Sequence, residues 1–171
     1  MSTTFSTDST ANATPLTLDS ALSAQVHVLG DALRSKGWTV SSAESCTGGG
    51  VAFAFTSVAG SSDWFNQSWV TYSNDAKRSV LGVTEQTLKE YGAVSKQTVK
   101  EMAEGVRRNS GAQLVVTVSG IAGPGGGSEE KPVGTVWFGF LCGEHEEQIK
   151  QVFSGNRDEV RQHAISFAIT Q

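Results

Sequence analysis

The hydrophobic pattern of the chain begins at Leu18, after a stretch in which polar residues dominate. From there apolar side chains recur at steps of four, four, three and four residues, which places them on one face of a helix. These positions are Leu18, Leu22, Val26, Leu29 and Leu33. Thr17 is a candidate N-cap for this helix, and Gly37 is a candidate for its end.

Beyond Gly37, short apolar runs alternate with segments of helical character. Runs rich in apolar and β-branched residues predict strands over 38–42, 68–73, 113–119, 133–141 and 147–153. Further helices are predicted over 51–56 and at the caps Asn74, Thr84, Ser95 and Asn156. Helices before and between strands favour an α/β domain with helices on both faces of the sheet. The short link over 142–146 predicts that the last two strands are antiparallel, so we expect a mixed sheet.

Composition and charge exclude several classes of protein. The 171 residues include 13 basic and 17 acidic side chains, a net charge of −4, which gives no support to nucleic-acid or anionic-membrane binding. No apolar run approaches the roughly 18 residues that a membrane-spanning helix needs. Two cysteines, Cys46 and Cys142, and three scattered histidines predict neither a disulfide framework nor a metal site, so we expect no metal.

The N-terminal stretch has a different composition from the rest of the chain. Residues 2–14 contain eight Ser or Thr and lack the basic start and apolar core of a signal peptide. We therefore expect residues 1–16 to form a disordered tail and residues 17–171 to form a single domain. We also expect a cytoplasmic location.

A glycine-rich turn over 43–50 lies between a predicted strand and a predicted helix. Its glycines allow a ligand close to the backbone, and free N–H groups at a helix start favour negative charge. Ser45 is a candidate nucleophile there, with N–H groups as an oxyanion hole. The alternative is that the turn only caps a helix. Cys46 is a rival nucleophile, but no histidine lies in its local motif.

Lys77 lies on the first turn of the helix predicted from Asn74, and Tyr72 lies at the end of the preceding strand. The helix dipole disfavours a cation at that place and lowers the lysine pKa, and burial would lower it further. A neutral lysine can take a proton from a serine. The alternative is a solvated surface lysine beside a core tyrosine.

Two further loops are candidates for binding an anion. The loop over 119–132 is rich in Gly and Pro, matches neither a phosphate-binding P-loop nor a dinucleotide fingerprint, and can wrap an anion or a nucleotide with its backbone. The turn over 154–157 places Arg157 at a helix start, where N–H groups and a guanidinium make a phosphate site. The alternatives are a flexible connection and an ordinary helix cap.

Five segments together resemble the CinA C-terminal domain family. They are A-E-S-C-T-G-G at 43–49, V-T-Y-S-N-D-A-K at 70–77, G-A-V-S at 92–95, the long motif at 119–138 and S-G-N-R at 154–157. The resemblance covers roughly residues 18–170. It implies a three-layer α/β/α sandwich with a mixed, mostly parallel sheet, and a homodimer. Many relatives carry an additional N-terminal pyrophosphatase domain, for which 171 residues leave no room.

Stand-alone members of this family are nicotinamide mononucleotide (NMN) amidohydrolases. The resemblance therefore implies hydrolysis of NMN to nicotinic acid mononucleotide and ammonia in pyridine nucleotide salvage, with no cofactor. Ser45 matches the family's proposed nucleophile, and Tyr72 and Lys77 match its proposed catalytic partners. To these we add substrate contacts of our own inference, at Thr47, Gly48, Gly49, Gly123, Gly125, Gly126, Ser128 and Arg157.

Two other functions remain open on the sequence. The same pocket would serve a regulatory module that binds a pyridine nucleotide without turnover, as the family's links to competence and DNA damage suggest. A different amide substrate, such as nicotinamide riboside, is expected if Arg157 does not reach a phosphate. The Ser45, Tyr72 and Lys77 set favours the amidase, because a pure binder has no need for a poised base.

Overall fold

A computed structural model describes residues 18–171 as alternating helices and strands. The helices are α1 (Ser20–Lys36), α2 (Gly50–Thr56), α3 (Asn74–Leu81), α4 (Glu85–Tyr91), α5 (Lys96–Ser110) and α6 (Arg157–Thr170). The strands are β1 (Val40–Glu44), β2 (Phe65–Val70), β3 (Leu114–Gly120), β4 (Thr135–Cys142) and β5 (His145–Val152). The predicted tail over 1–16 and the predicted cap Thr17 lie outside the described residues.

The five strands form one sheet in the order β2-β1-β3-β4-β5. Strand β1 is parallel to both β2 and β3, whereas β4 is antiparallel to β3 and to β5. Four strands therefore share one direction and only β4 opposes them, which confirms the predicted mixed, mostly parallel sheet. In this register the last residue of β1, Glu44, lies beside Val70 of β2 and Val118 of β3. The carboxyl ends of three parallel strands thus meet at one edge.

Helices cover both faces of the sheet, as the three-layer prediction requires. Helices α1, α2 and α6 pack together on one face, and α3, α4 and α5 pack on the other. Each face has its own buried apolar cluster, one around Phe55, Trp64 and Phe138 and one around Leu81 and Met102. Burial of each such side chain contributes about 1.5–3 kcal/mol.

Helix α3 approaches α5 very closely, at a glycine. A Cβ atom built on Gly105 would overlap the carbonyl oxygen of Leu81. Only a residue without a side chain allows this approach, so Gly105 determines how deeply α3 sits. The position of α3 matters because this helix carries Lys77.

Capping residues determine most of the helix boundaries. Thr84, Ser95 and Asn156 cap their helices and Gly37 ends α1 with φ 63°, all as predicted. Helix α1 is capped by Asp19, whose carboxylate accepts from two N–H groups. The prediction of Asn74 as the cap of α3 is wrong, because the Ser73 side chain accepts from the Ala76 N–H and Asn74 is the first residue of the helix. None of the helices within 18–171 combines the length and the apolar character needed to cross a membrane.

Candidate active site

The predicted nucleophile and the predicted base meet at the carboxyl edge of the parallel strands. Ser45 follows β1 directly, and Lys77 lies on the first turn of α3 after β2. Lys77 is 1% exposed, and its Nζ lies 3.0 Å from Ser45 Oγ. Open α/β sheets bind their ligands at this edge. The alternative of a solvated surface lysine is therefore wrong for Lys77.

Two main-chain carbonyl oxygens complete the surroundings of the Lys77 amine. Nζ lies 2.8 Å from the oxygen of Thr71 and 3.2 Å from that of Tyr72. Burial lowers the pKa of Lys77 from 10.5 to about 8. A neutral amine has two N–H bonds and one lone pair, and carbonyl oxygens only accept hydrogen bonds. When both N–H bonds serve the carbonyls, the lone pair is left for the Ser45 hydroxyl, as a general base requires.

A buried carboxylate holds the turn that presents Ser45. Glu44, fully buried, accepts from the Thr47 hydroxyl at 2.6 Å and from the N–H groups of Gly49, Val51 and Ala52 at 2.9–3.0 Å. It therefore takes the place of the side-chain cap that α2 lacks. This role of Glu44 was not predicted from the sequence. An acidic residue just before a helix start was the signal available for it.

Two N–H groups of the turn have no oxygen acceptor within residues 18–171, whereas the others donate hydrogen bonds within the protein. The Ser45 N–H donates to Val118, the Gly48 N–H donates to the Ser45 carbonyl, and the Gly49 N–H donates to Glu44. Within residues 18–171, the N–H groups of Cys46 and Thr47 have no oxygen acceptor, although both residues are buried. Buried N–H groups without an acceptor are rare in proteins. The N–H groups of Gly48 and Gly49 are thus engaged within the turn, and the substrate contacts predicted for Thr47, Gly48 and Gly49 stay predictions.

A cavity of about 280 Å³ opens beside Ser45. Of the predicted site residues, those that line it are Ser45, Tyr72, Lys77, Gly123, Gly125, Gly126 and Arg157. Those that do not line it are Thr47, Gly48, Gly49 and Ser128. Ser128 instead closes a turn with Lys131, through an N–H donated to its carbonyl and a hydroxyl that accepts its N–H. The glycine-rich loop contributes backbone to the cavity, with Ile121 and Ala122 as apolar neighbours.

Arg157 and Tyr72 contact each other across the cavity. The Arg157 guanidinium donates to the Gly123 carbonyl at 2.7 Å and to the Tyr72 hydroxyl at 3.2 Å. The Tyr72 side chain is exposed, and it is the main-chain carbonyl of Tyr72, not the hydroxyl, that contacts Lys77. The basic side chains lining the cavity are Lys77 and Arg157, and no acidic side chain of the described residues lines it. The cavity therefore favours an anionic ligand.

Cys46 also lines this cavity, next to Ser45. Burial raises the pKa of its thiol to about 11. The nucleophilic form of cysteine is the thiolate, so this thiol is a weak nucleophile near neutral pH. In the described part of the chain, no three His, Cys, Asp or Glu side chains are grouped to hold a metal ion.

Arg161 is a second residue that the sequence analysis missed. It lies one turn after Arg157 on α6, where residues four apart share a helix face. Its Nε donates to the Cys46 carbonyl at 3.2 Å, and its Nη2 donates to the Thr47 carbonyl at 3.3 Å. The spacing from Arg157 was the available signal, but the contact itself joins residues 115 positions apart.

Comparison with known proteins gives consistent matches. The family described as CinA C-terminal domain matches residues 22–171. The chain is 58% identical over 143 residues to "Nicotinamide-nucleotide amidohydrolase PncC" of Enterobacter agglomerans, covering 82% of this chain and 87% of that protein. It is 51% identical over 152 residues to the protein of the same name from Escherichia coli strain K12, covering 88% and 92%. The solved structure of the competence/damage inducible protein CihA from Agrobacterium tumefaciens matches with a TM-score of 0.84 at 40% identity, covering 90% and 94%.

Proposed function

Because this chain belongs to the CinA C-terminal domain family, we propose that it hydrolyses the carboxamide of NMN to nicotinic acid mononucleotide and ammonia, in pyridine nucleotide salvage. Two relatives that match it over most of their length are named nicotinamide-nucleotide amidohydrolases. The observation that carries the proposal is the buried Lys77 amine, 3.0 Å from Ser45 Oγ and without a carboxylate partner among the described residues. A protein that only binds a nucleotide has no use for this pair.

The geometry of the pair supports acylation of Ser45 as the first step. Lys77 Nζ takes the Ser45 proton as Oγ attacks the carboxamide carbon, which gives a tetrahedral intermediate with a negative oxygen. The N–H groups of Cys46 and Thr47, which have no oxygen acceptor within residues 18–171, are our candidates to stabilise that oxygen, a contribution of roughly 3–4 kcal/mol per donor. The Lys77 ammonium then returns the proton to the leaving nitrogen, and ammonia departs from an acyl-enzyme.

Deacylation reverses the roles of the same groups. Lys77, neutral again, takes a proton from a water molecule that attacks the acyl carbon, and the ammonium then gives its proton back to Ser45 Oγ. The product carries a carboxylate in place of the amide. Tyr72 as a further catalytic partner stays a prediction, because its hydroxyl contacts Arg157 and only its carbonyl contacts Lys77.

Substrate recognition is assigned to the opposite side of the cavity. Arg157 provides a guanidinium for the 5′-phosphate, with a geometry suited to two parallel hydrogen bonds. Gly123, Gly125 and Gly126 line the cavity beside it with backbone rather than side chains. The phosphate would replace the present contact of Arg157 with Tyr72 or with Gly123.

The test is ammonia release by the purified protein from NMN, nicotinamide riboside and nicotinamide in parallel. We expect release from NMN and at least tenfold less from the riboside, because the lost phosphate contact is a charged hydrogen bond worth about 1.5–3 kcal/mol. Equal release from NMN and the riboside would contradict the phosphate assignment. NMN binding without ammonia release would support the regulatory module instead.

A further inference from the structure

Arg161 connects α6 to the turn that carries the nucleophile. The side chain is 37% exposed and donates to two consecutive carbonyl oxygens, those of Cys46 and Thr47. The Nη1 atom of Arg161 lies 3.9 Å from Oδ1 of the exposed Asp158 carboxylate. Arg161 does not line the cavity, so it has no direct contact with a substrate there.

The Cys46–Thr47 peptide is the part of the turn that depends on this arginine. In a trans peptide the C=O and the N–H point in opposite directions, so a donor on the Cys46 carbonyl also sets the direction of the Thr47 N–H. Within 18–171, Arg161 is the one group that donates to the Cys46 oxygen. The next peptide is held at both ends, because the Gly48 N–H donates to Ser45 and the Thr47 carbonyl accepts from Gly50 as well as Arg161.

We infer that Arg161 is a positioning residue, which holds the Cys46–Thr47 peptide and thereby keeps Ser45 and the N–H group of Cys46, which both line the cavity, in place for the reaction. This inference rests on the proposed function, since it assumes a tetrahedral intermediate on Ser45. Without Arg161 neither the Cys46 carbonyl nor the Thr47 N–H has a hydrogen bond within residues 18–171, and the peptide is held by the burial of its two side chains and by the bond from the Thr47 hydroxyl to Glu44. A misplacement of about 1 Å in a catalytic group can reduce a rate by about 10²-fold.

The experiment compares Arg161→Met and Arg161→Gln with a matched arginine control. Arg107 also donates to a main-chain carbonyl, that of Gln113 at 3.3 Å, but at the opposite end of β3. Arg107→Met therefore removes an equivalent contact without touching the turn. Three quantities are measured. The first is kcat and KM for NMN, and the second is the acid limb of the pH–rate profile, which is the pH at which kcat falls as Lys77 gains its proton. The third is the rate at which a fluorophosphonate modifies Ser45. Phosphonylation also requires stabilisation of a negative oxygen during attack by Ser45 Oγ, with fluoride as the leaving group.

We expect kcat to fall on the order of 10²-fold in both Arg161 variants, with KM changed less than about threefold. The rate of phosphonylation should fall by a similar factor. The acid limb of the pH–rate profile should stay at the same pH, because Arg161 does not contact Lys77. Arg161→Lys should recover part of kcat, because one ammonium can still reach the Cys46 carbonyl. Thermal midpoints define a common assay temperature at which every variant is folded.

Two outcomes would overturn the inference. One is a kcat in both Arg161 variants within about twofold of Arg107→Met. The other is a loss of kcat that comes with a displaced acid limb, which would place the effect on Lys77. If the unmodified protein releases no ammonia from NMN, the proposed substrate is wrong, and the phosphonylation rates still decide the role of Arg161. If it does release ammonia and the Arg161 variants match the control, the inference alone fails.

Discussion

The pKa of Lys77 predicts a pH dependence that few other assignments of the base would give. With a pKa of about 8, the neutral fraction of Lys77 is about one tenth at pH 7 and about one hundredth at pH 6. The rate of NMN hydrolysis should therefore rise about tenfold per pH unit from 6 to 7 and level off above 8. The 5′-phosphate of the substrate titrates near pH 6, about two units lower, so its effect is separable.

The assay is steady-state ammonia release between about pH 5.5 and 9.5, in buffers of constant ionic strength so that the screening of charges stays the same across the series. Lys77→Arg places a cation that does not lose its proton at the same position, and its activity should be lost across the range. Lys100 lies exposed on α5, paired with Glu104 and Glu146, and Lys100→Met should leave the acid limb unchanged. A flat profile down to pH 6, or an active Lys77→Arg variant, would refute the assignment of Lys77 as the base.

The same pKa is measurable without substrate, through stability. The unfolded chain binds a proton at Lys77 below its pKa of 10.5, whereas the folded chain releases it above about 8. Folding is therefore penalised below pH 8, and the penalty disappears as the pH rises towards 10.5. The free energy of unfolding, relative to Lys77→Met, should increase over this window by up to about 3 kcal/mol. Denaturant unfolding of both proteins at several pH values measures it, and a constant difference would contradict the lowered pKa.

Three other predictions concern single side chains. Ser45→Ala should abolish ammonia release and keep NMN affinity within about tenfold in calorimetry, because the hydroxyl acts mainly in the transition state; near-normal turnover would remove Ser45 as the nucleophile. Arg157→Met should raise the KM for NMN by about tenfold or more and leave the riboside kinetics unchanged, and an equal effect on both substrates would contradict a phosphate contact. Glu44→Gln should lower the free energy of unfolding by about 1–3 kcal/mol in denaturant titrations, because one of its oxygens becomes an amide that cannot accept an N–H; unchanged stability would show that Glu44 does not hold the turn.

The fold was predictable from local chemistry to the extent that each element depends on its own residues. Caps at Thr84, Ser95 and Asn156 gave correct helix starts because a side-chain oxygen meets the N–H groups two or three residues later. Strand β2 begins at Phe65, three residues before the prediction. It is a half-exposed edge strand in which three of six residues are polar, so its extent is determined by pairing with β1 and not by its own pattern.

The candidate site was predictable where the reacting side chains follow strands, and not where main-chain groups hold them. Ser45 and Lys77 were found because parallel strands bring their carboxyl ends together. Arg161 was missed because its partners are two carbonyl groups, which any residue type provides, and because the contact requires α6 to pack against α2. Main-chain acceptors leave no mark in a sequence.

The glycines of the turn show why a motif does not reveal the task of each of its members. Gly48 and Gly49 have φ of 60° and 96°, a conformation that other residues avoid, and they line no part of the cavity. Their bend returns the chain over Glu44, so that one carboxylate meets the N–H groups of Gly49, Val51 and Ala52. We therefore infer that these glycines serve the substrate indirectly: the bend satisfies the later N–H groups of the turn within the protein, and among the described residues it leaves those of Cys46 and Thr47 without an oxygen acceptor.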